Sequence, residues 1–127
     1  MPTVSGNLEY VDVATYNYGG GANGAIMTIV SDNSGSPAAV TPVLDTANVA
    51  SLGEYVAEPY VKITSIRHPR LTSGKTYWLI LAPRGYNSFG AWFYGVVSPN
   101  FDWSSNGGAT WNSCNCGENL AFDVFVK

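Results

Sequence analysis

The second half of the chain alternates short aromatic and β-branched runs with turn-forming residues, which leaves little besides an antiparallel β fold. Thr76-Tyr77-Trp78-Leu79-Ile80-Leu81, Ala91-Trp92-Phe93-Tyr94, Thr110-Trp111 and Leu120-Ala121-Phe122-Asp123-Val124-Phe125-Val126 are separated by Gly, Asn, Ser and Pro. Aromatic and β-branched side chains suit a pleated, half-buried surface, and the separators supply turns. No window of about 11 residues carries a 3.6-residue apolar period, so the helical content is expected to stay under about a tenth.

Earlier segments fit the same scheme. Asn7 to Thr15 reads as a strand with Leu8, Val11 and Val13 as its apolar positions, followed by a glycine-rich loop from Tyr16 to Gly24. Ala25 to Ser31 is a second strand, closed by the turn Asp32-Asn33-Ser34-Gly35-Ser36-Pro37. Val40 to Leu44 is a weak strand, which Pro42 places at an edge, and Tyr55 to Ser65 is a longer one. Thr76 to Ala82 is apolar on both faces and reads as central. Phe89 to Val97, Ala109 to Trp111 and Asn119 to Val126 complete seven or eight strands. The expected fold is all-β, a two-sheet antiparallel sandwich of jelly-roll type.

At 127 residues, the chain fits one domain with a core of its own. Six basic residues and a net charge of −3 give no footprint for nucleic acid. Arg67, His68 and Arg70, around Pro69, read as a solvated turn rather than an anion site. No apolar run approaches the ~20 residues of a membrane helix, so insertion is not expected. Met1 to Gly6 lacks the basic start and apolar run of a signal peptide. If the protein is secreted, its leader lies outside this sequence or its export follows another route. Cys114 and Cys116 stand too close for an ordinary staple, leaving two thiols or a local loop-pinning disulfide.

Catalysis has little to work with. A nucleophile–histidine–acid arrangement would have to use His68, the only histidine, and it precedes a proline in a turn. Asp102, Glu118 and Asp123 fall near the aromatic region but lack the defined pairing of a glycosidase. The chain is therefore read as non-enzymatic and without a cofactor. A structural calcium ion on Asp32, Asn33 and Asp45 is the alternative left open, although Asp32 to Pro37 is complete as a plain turn.

The aromatics carry the functional expectation. Tyr86, Trp92, Tyr94, Phe101, Trp103 and Trp111 fall in or beside loops, with Arg84, Asn87, Asn100, Asp102 and Asn106 as polar neighbours. Sugars present apolar C–H faces between hydroxyls, which suits flat rings flanked by such groups. Tyr77 or Trp78, Phe122, Phe125 and Trp92 are expected in the core. Trp103 and Tyr86 are expected at the surface, and the candidate ligand-binding set is Trp103, Tyr86, Trp111, Tyr94, Asn87, Asp102, Asn106 and Arg84.

These runs, with Trp103-Ser104-Ser105-Asn106-Gly107-Gly108-Ala109-Thr110-Trp111 and the turn Thr28 to Pro37, resemble the bacterial β-sandwich domains of the choice-of-anchor type. The resemblance extends over nearly the whole chain and implies a surface-exposed or secreted, non-catalytic module. Related jelly-roll modules occur in carbohydrate-binding and virion proteins. Two departures stand out: Cys114-Asn115-Cys116, and the lack of the strand that usually precedes the segment matching Pro2 to Gly6. Without that strand, Asn7 to Thr15 would present an edge, to be filled by a strand from another molecule or covered by the chain's own loop at Tyr18 to Gly24. Two functions follow. The first is recognition of carbohydrate or another cell-surface ligand. The second is a structural subunit of a homo-oligomer or larger assembly, a virion decoration or surface filament joined by strand addition.

Overall fold

Leu8, Val11 and Val13 lie along the first long strand of the computed structural model, β1 (Gly6–Asn17). The structure describes residues 1–17, 25–37, 43–49, 60–83, 90–92, 94–95, 101–106, 108–114, 119–120 and 122–127. β1 runs between β13 (Phe122–Val126) and β5 (Tyr60–Thr64), antiparallel to both. Its ends also pair with β6 (Arg70–Leu71) and β8 (Gly90–Trp92).

A register shift shapes this sheet. Leu8 faces Val126 and Tyr10 faces Phe125, so Glu9 is an extra residue on β1. The bulge restores Leu8 to the face of Val11 and Val13, and all three are fully buried. Tyr10 turns to the opposite face and stacks on Phe125, with ring centroids 4.2 Å apart and planes inclined by 18°. Lys62 Nζ sits 4.0 Å from the Tyr10 centroid, a cation–π contact.

In the second sheet, β2 (Ala25–Asn33) lies between β4 (Asp45–Val49) and β7 (Tyr77–Pro83). The hairpin from β2 to β3 (Ser36–Pro37) turns through Ser34 and Gly35, whose φ angles are +56° and +89°. Two consecutive positive φ values match the right-handed twist of the strands they join, and glycine adopts one without strain. Both sheets supply one core: Leu8, Val11, Val13, Ile63 and Leu71 from the first, Ala25, Met27, Ile29 and Ala47 from the second. Two smaller ribbons join β9 (Tyr94–Gly95) to β12 (Asn119–Leu120) and β10 (Phe101–Trp103) to β11 (Asn112–Cys114).

The all-β expectation holds: the described residues contain antiparallel strands and no helix. A far-ultraviolet circular dichroism spectrum is expected to show β signal without a helical double minimum; a strong double minimum would contradict this architecture. The strand count differs, with thirteen segments among the described residues rather than seven or eight. Four of them are two-residue pieces, such as Arg70–Leu71, which are too short to leave a pattern in the sequence.

Other expectations are corrected. Of the weak strand read at Val40 to Leu44, residues 40–42 lie outside the described set, while Val43 and Leu44 are not in a strand and β4 begins at Asp45. Ala109 to Trp111 belongs to a loop, and the strand starts at Asn112. The central strand of the second sheet is β2; β7 pairs only with β2 among the described strands. Phe122 and Phe125 are 38% and 39% exposed rather than core, on a strand that pairs only with β1 among the described strands. β1 is not an edge at all, since its own chain covers both sides. Residues 18–24, read as a loop that could cover it, lie outside the described set.

Candidate functional site

The β10–β11 hairpin carries the described candidate residues. Phe101 faces Cys114, Asp102 faces Ser113 and Trp103 faces Asn112. Side chains alternate across a ribbon, so Trp103 and Asn112 share one face while Asp102 and Ser113 share the other. Ser113 Oγ donates to Asp102 Oδ1 at 2.6 Å, which ties the two strands on that second face.

The connecting loop is held by its own polar side chains. Ser104 Oγ accepts the N–H groups of Asn106 at 3.3 Å and Gly108 at 2.8 Å, and donates to Asn106 Oδ1 at 2.9 Å. Asn106 Oδ1 also accepts the Thr110 N–H at 3.0 Å, while Asn106 Nδ2 donates to Thr110 Oγ1 at 2.8 Å. Such side-chain turns replace backbone pairing where the chain reverses. Gly108 has φ +87°, and a Cβ there would lie 3.3 Å from Trp111 Cζ2. The turn thus disfavours a side chain at this position and seats the Trp111 ring beside it.

Trp103 is 51% exposed, the most exposed of the described tryptophans. A half-exposed indole at the end of a strand, beside a loop braced in this way, is a flat apolar platform whose position is set in advance. Asn112, directly across the ribbon, places an amide with donor and acceptor capacity beside that platform. Trp111 is partly buried, and its Nε1 is enclosed without a hydrogen-bond partner among the described residues.

The candidate set is brought together only in part. Trp103 and Trp111 bracket the loop, but Asp102 lies on the opposite face of the ribbon from Trp103. Asn106 spends its amide on the loop itself. Tyr94 is placed by backbone register alone, opposite Leu120 in a different ribbon. Tyr86, Asn87 and Arg84 lie outside the described residues. Asn112 is the neighbour that sequence reasoning missed; only a fixed hairpin register, with a partner nine residues away, would have found it.

Of the three residues considered for calcium, Asp32 and Asp45 hold hydrogen bonds within the fold. Asp32 accepts Trp78 Nε1 at 2.7 Å through Oδ1 and the Gly35 N–H at 3.1 Å through Oδ2. Asp45 is completely buried, and its Oδ1 accepts the Thr46 and Arg67 N–H groups at 2.9 and 3.3 Å. Its Oδ2 accepts the Ile66 N–H at 3.0 Å and the hydroxyl of Ser65. Ser65 Oγ in turn accepts the His68 N–H at 3.0 Å, while His68 Nδ1 donates to the Leu8 carbonyl at 2.8 Å. His68 therefore serves the turn between β5 and β6, which Asp45 bonds to the second sheet. Cys114 is disulfide-bonded, and Cys116 is the only other cysteine in the sequence.

No family model, curated protein or solved structure matches this chain. The likeness to choice-of-anchor domains therefore rests on the motifs quoted above.

Proposed function

We propose that this chain is a non-catalytic, extracellular or surface-exposed recognition module that binds carbohydrate through its β10–β11 hairpin. The observation that carries this reading is the half-exposed Trp103 at the end of β10, beside a loop pinned by Ser104, Asn106 and Thr110. The indole face takes the apolar C–H surface of a sugar ring, and Asn112 offers its amide to a neighbouring hydroxyl. Preorganisation matters because stacking is weak, so little of it can be lost to ordering a loop. A jelly-roll-type sandwich is the architecture that best accommodates these parts. It is supported by two sheets that contribute side chains to one core.

A glycan array followed by tryptophan-fluorescence titration tests this reading. Binding is expected with affinities between about millimolar and micromolar. Trp103→Ala is expected to weaken it about tenfold or more, within the range found for aromatic stacking contacts. Stability should stay nearly unchanged, because the side chain already meets solvent. Retained affinity in Trp103→Ala, or no response to any glycan, would count against the module's proposed role.

A further inference from the structure

We infer that the outer edge of β13 pairs with the same edge of a second copy of this chain, antiparallel and centred on Phe125. This inference is independent of the sugar-binding reading. Asn7 N–H donates to Lys127 O at 2.8 Å, and Lys127 N–H donates to Asn7 O at 2.9 Å. An antiparallel ladder alternates residues whose N–H and C=O groups meet the neighbour with residues whose groups point away. Counting back from Lys127, the backbone groups of Phe125 and Asp123 address β1. Those of Val126 and Val124 point outward, where no described strand lies. Side chains alternate too: Val124 and Val126 share the core face with Val11 and Leu8, while Asp123, Phe125 and Lys127 share the face of Tyr10. Val124 and Phe125 are 40% and 39% exposed, so this edge is apolar and, at Val124 and Val126, without a partner strand among the described residues.

Backbone polarity admits only registers that set outward residues against outward residues. Centred on Val124, the strands would place Asp123 across from Phe125 of the second copy and leave the two Asp123 side chains as diagonal neighbours. Centred on Phe125, they place Val124 opposite Val126, Phe125 opposite Phe125, and Asp123 opposite Lys127 of the second copy. This second register meets each need at once. Val124 and Val126 exchange backbone hydrogen bonds across the two-fold axis, and the exposed Val124 with the half-buried Val126 extends the core row. The Lys62–Tyr10–Phe125 stack continues into its own image. Opposite charges then stand directly across the strands in both copies, the arrangement that stabilises a cross-strand neighbour rather than repelling it. A self-complementary edge with two-fold symmetry closes on itself and does not grow into a filament.

Sedimentation equilibrium on the full chain between about 10 µM and 1 mM, the range expected for a small interface, reads the assembly. A monomer–dimer equilibrium is expected. Val124→Pro removes an N–H that points away from β1 and meets no described strand, a position where an edge tolerates proline, so it should give a folded monomer. Lys127→Glu should weaken the dimer about tenfold by opposing two acidic pairs, and Asp123→Lys with Lys127→Glu should restore it. A monomer at every concentration overturns the inference, including one that takes up an unrelated extended peptide at this edge. So does a dimer that survives Val124→Pro, or one that the charge exchange fails to restore.

Discussion

Replacing Asp45 by alanine is expected to cost the fold about 3–5 kcal/mol, because it strips acceptors from several donors at once. The N–H groups of Thr46, Ile66 and Arg67 and the hydroxyl of Ser65 all end on this one carboxylate. The residue is fully buried, so water cannot easily stand in for it. Its position explains the concentration of bonds. Asp45 opens β4 in one sheet, and residues 65–67 leave β5 in the other, so a single side chain ties the two sheets at a corner. Asp45→Asn keeps one acceptor oxygen but turns an –NH2 toward N–H or O–H donors, and it should fall between wild type and Asp45→Ala. Urea denaturation of the three proteins measures this order. An Asp45→Ala midpoint equal to that of wild type would show that the corner is held by other contacts.

Leu8→Ala is expected to lose about 3 kcal/mol, within the usual span for a leucine truncated in a packed core. Leu8 is fully buried and joins the cluster that both sheets share. The bulge at Glu9 exists, in physical terms, to keep this side chain inward while Tyr10 points out. Tyr10→Ala is therefore the informative partner. It removes a ring stacked on Phe125 and covered by Lys62 on the outer face, and should cost only about 1 kcal/mol. Equal losses in the two variants would contradict the assignment of faces along β1. Since folded domains of this kind are held by roughly 5–15 kcal/mol, either Asp45→Ala or Leu8→Ala consumes a large share of the whole.

Much of the fold was legible because strands advertise themselves through alternation. Val11 and Val13 against Asp12, and Ser34-Gly35 after an apolar run, predict β1 and the turn that follows β2, although the two-residue strand Ser36–Pro37 reads in the sequence as part of that turn. β4 was not legible: Asp45-Thr46-Ala47-Asn48-Val49 is poor in β-forming residues. It becomes a strand because β2 supplies its hydrogen-bonding partner and a buried seat for Ala47. Phe122 and Phe125 misled for a different reason, since aromatic character reports the ability to pack and says nothing of whether a neighbour strand is present. At the candidate site, Trp103 was legible from its Gly/Ser/Asn surroundings. Asp102 and Asn112 were not distinguishable, because which of them shares the Trp103 face depends on a register that the sequence does not encode locally.

Backbone amide chemical-shift mapping of the labelled protein, titrated with the best glycan from an array, tests the carbohydrate-binding account most directly. The account predicts saturable shifts centred on residues 101–103 and 112–114. They should be lost in Trp103→Ala and reduced in Asn112→Ala, with both variants retaining dispersed, folded spectra. Shifts centred on another face of the molecule, or a Trp103→Ala protein that saturates at the wild-type concentration, would contradict it.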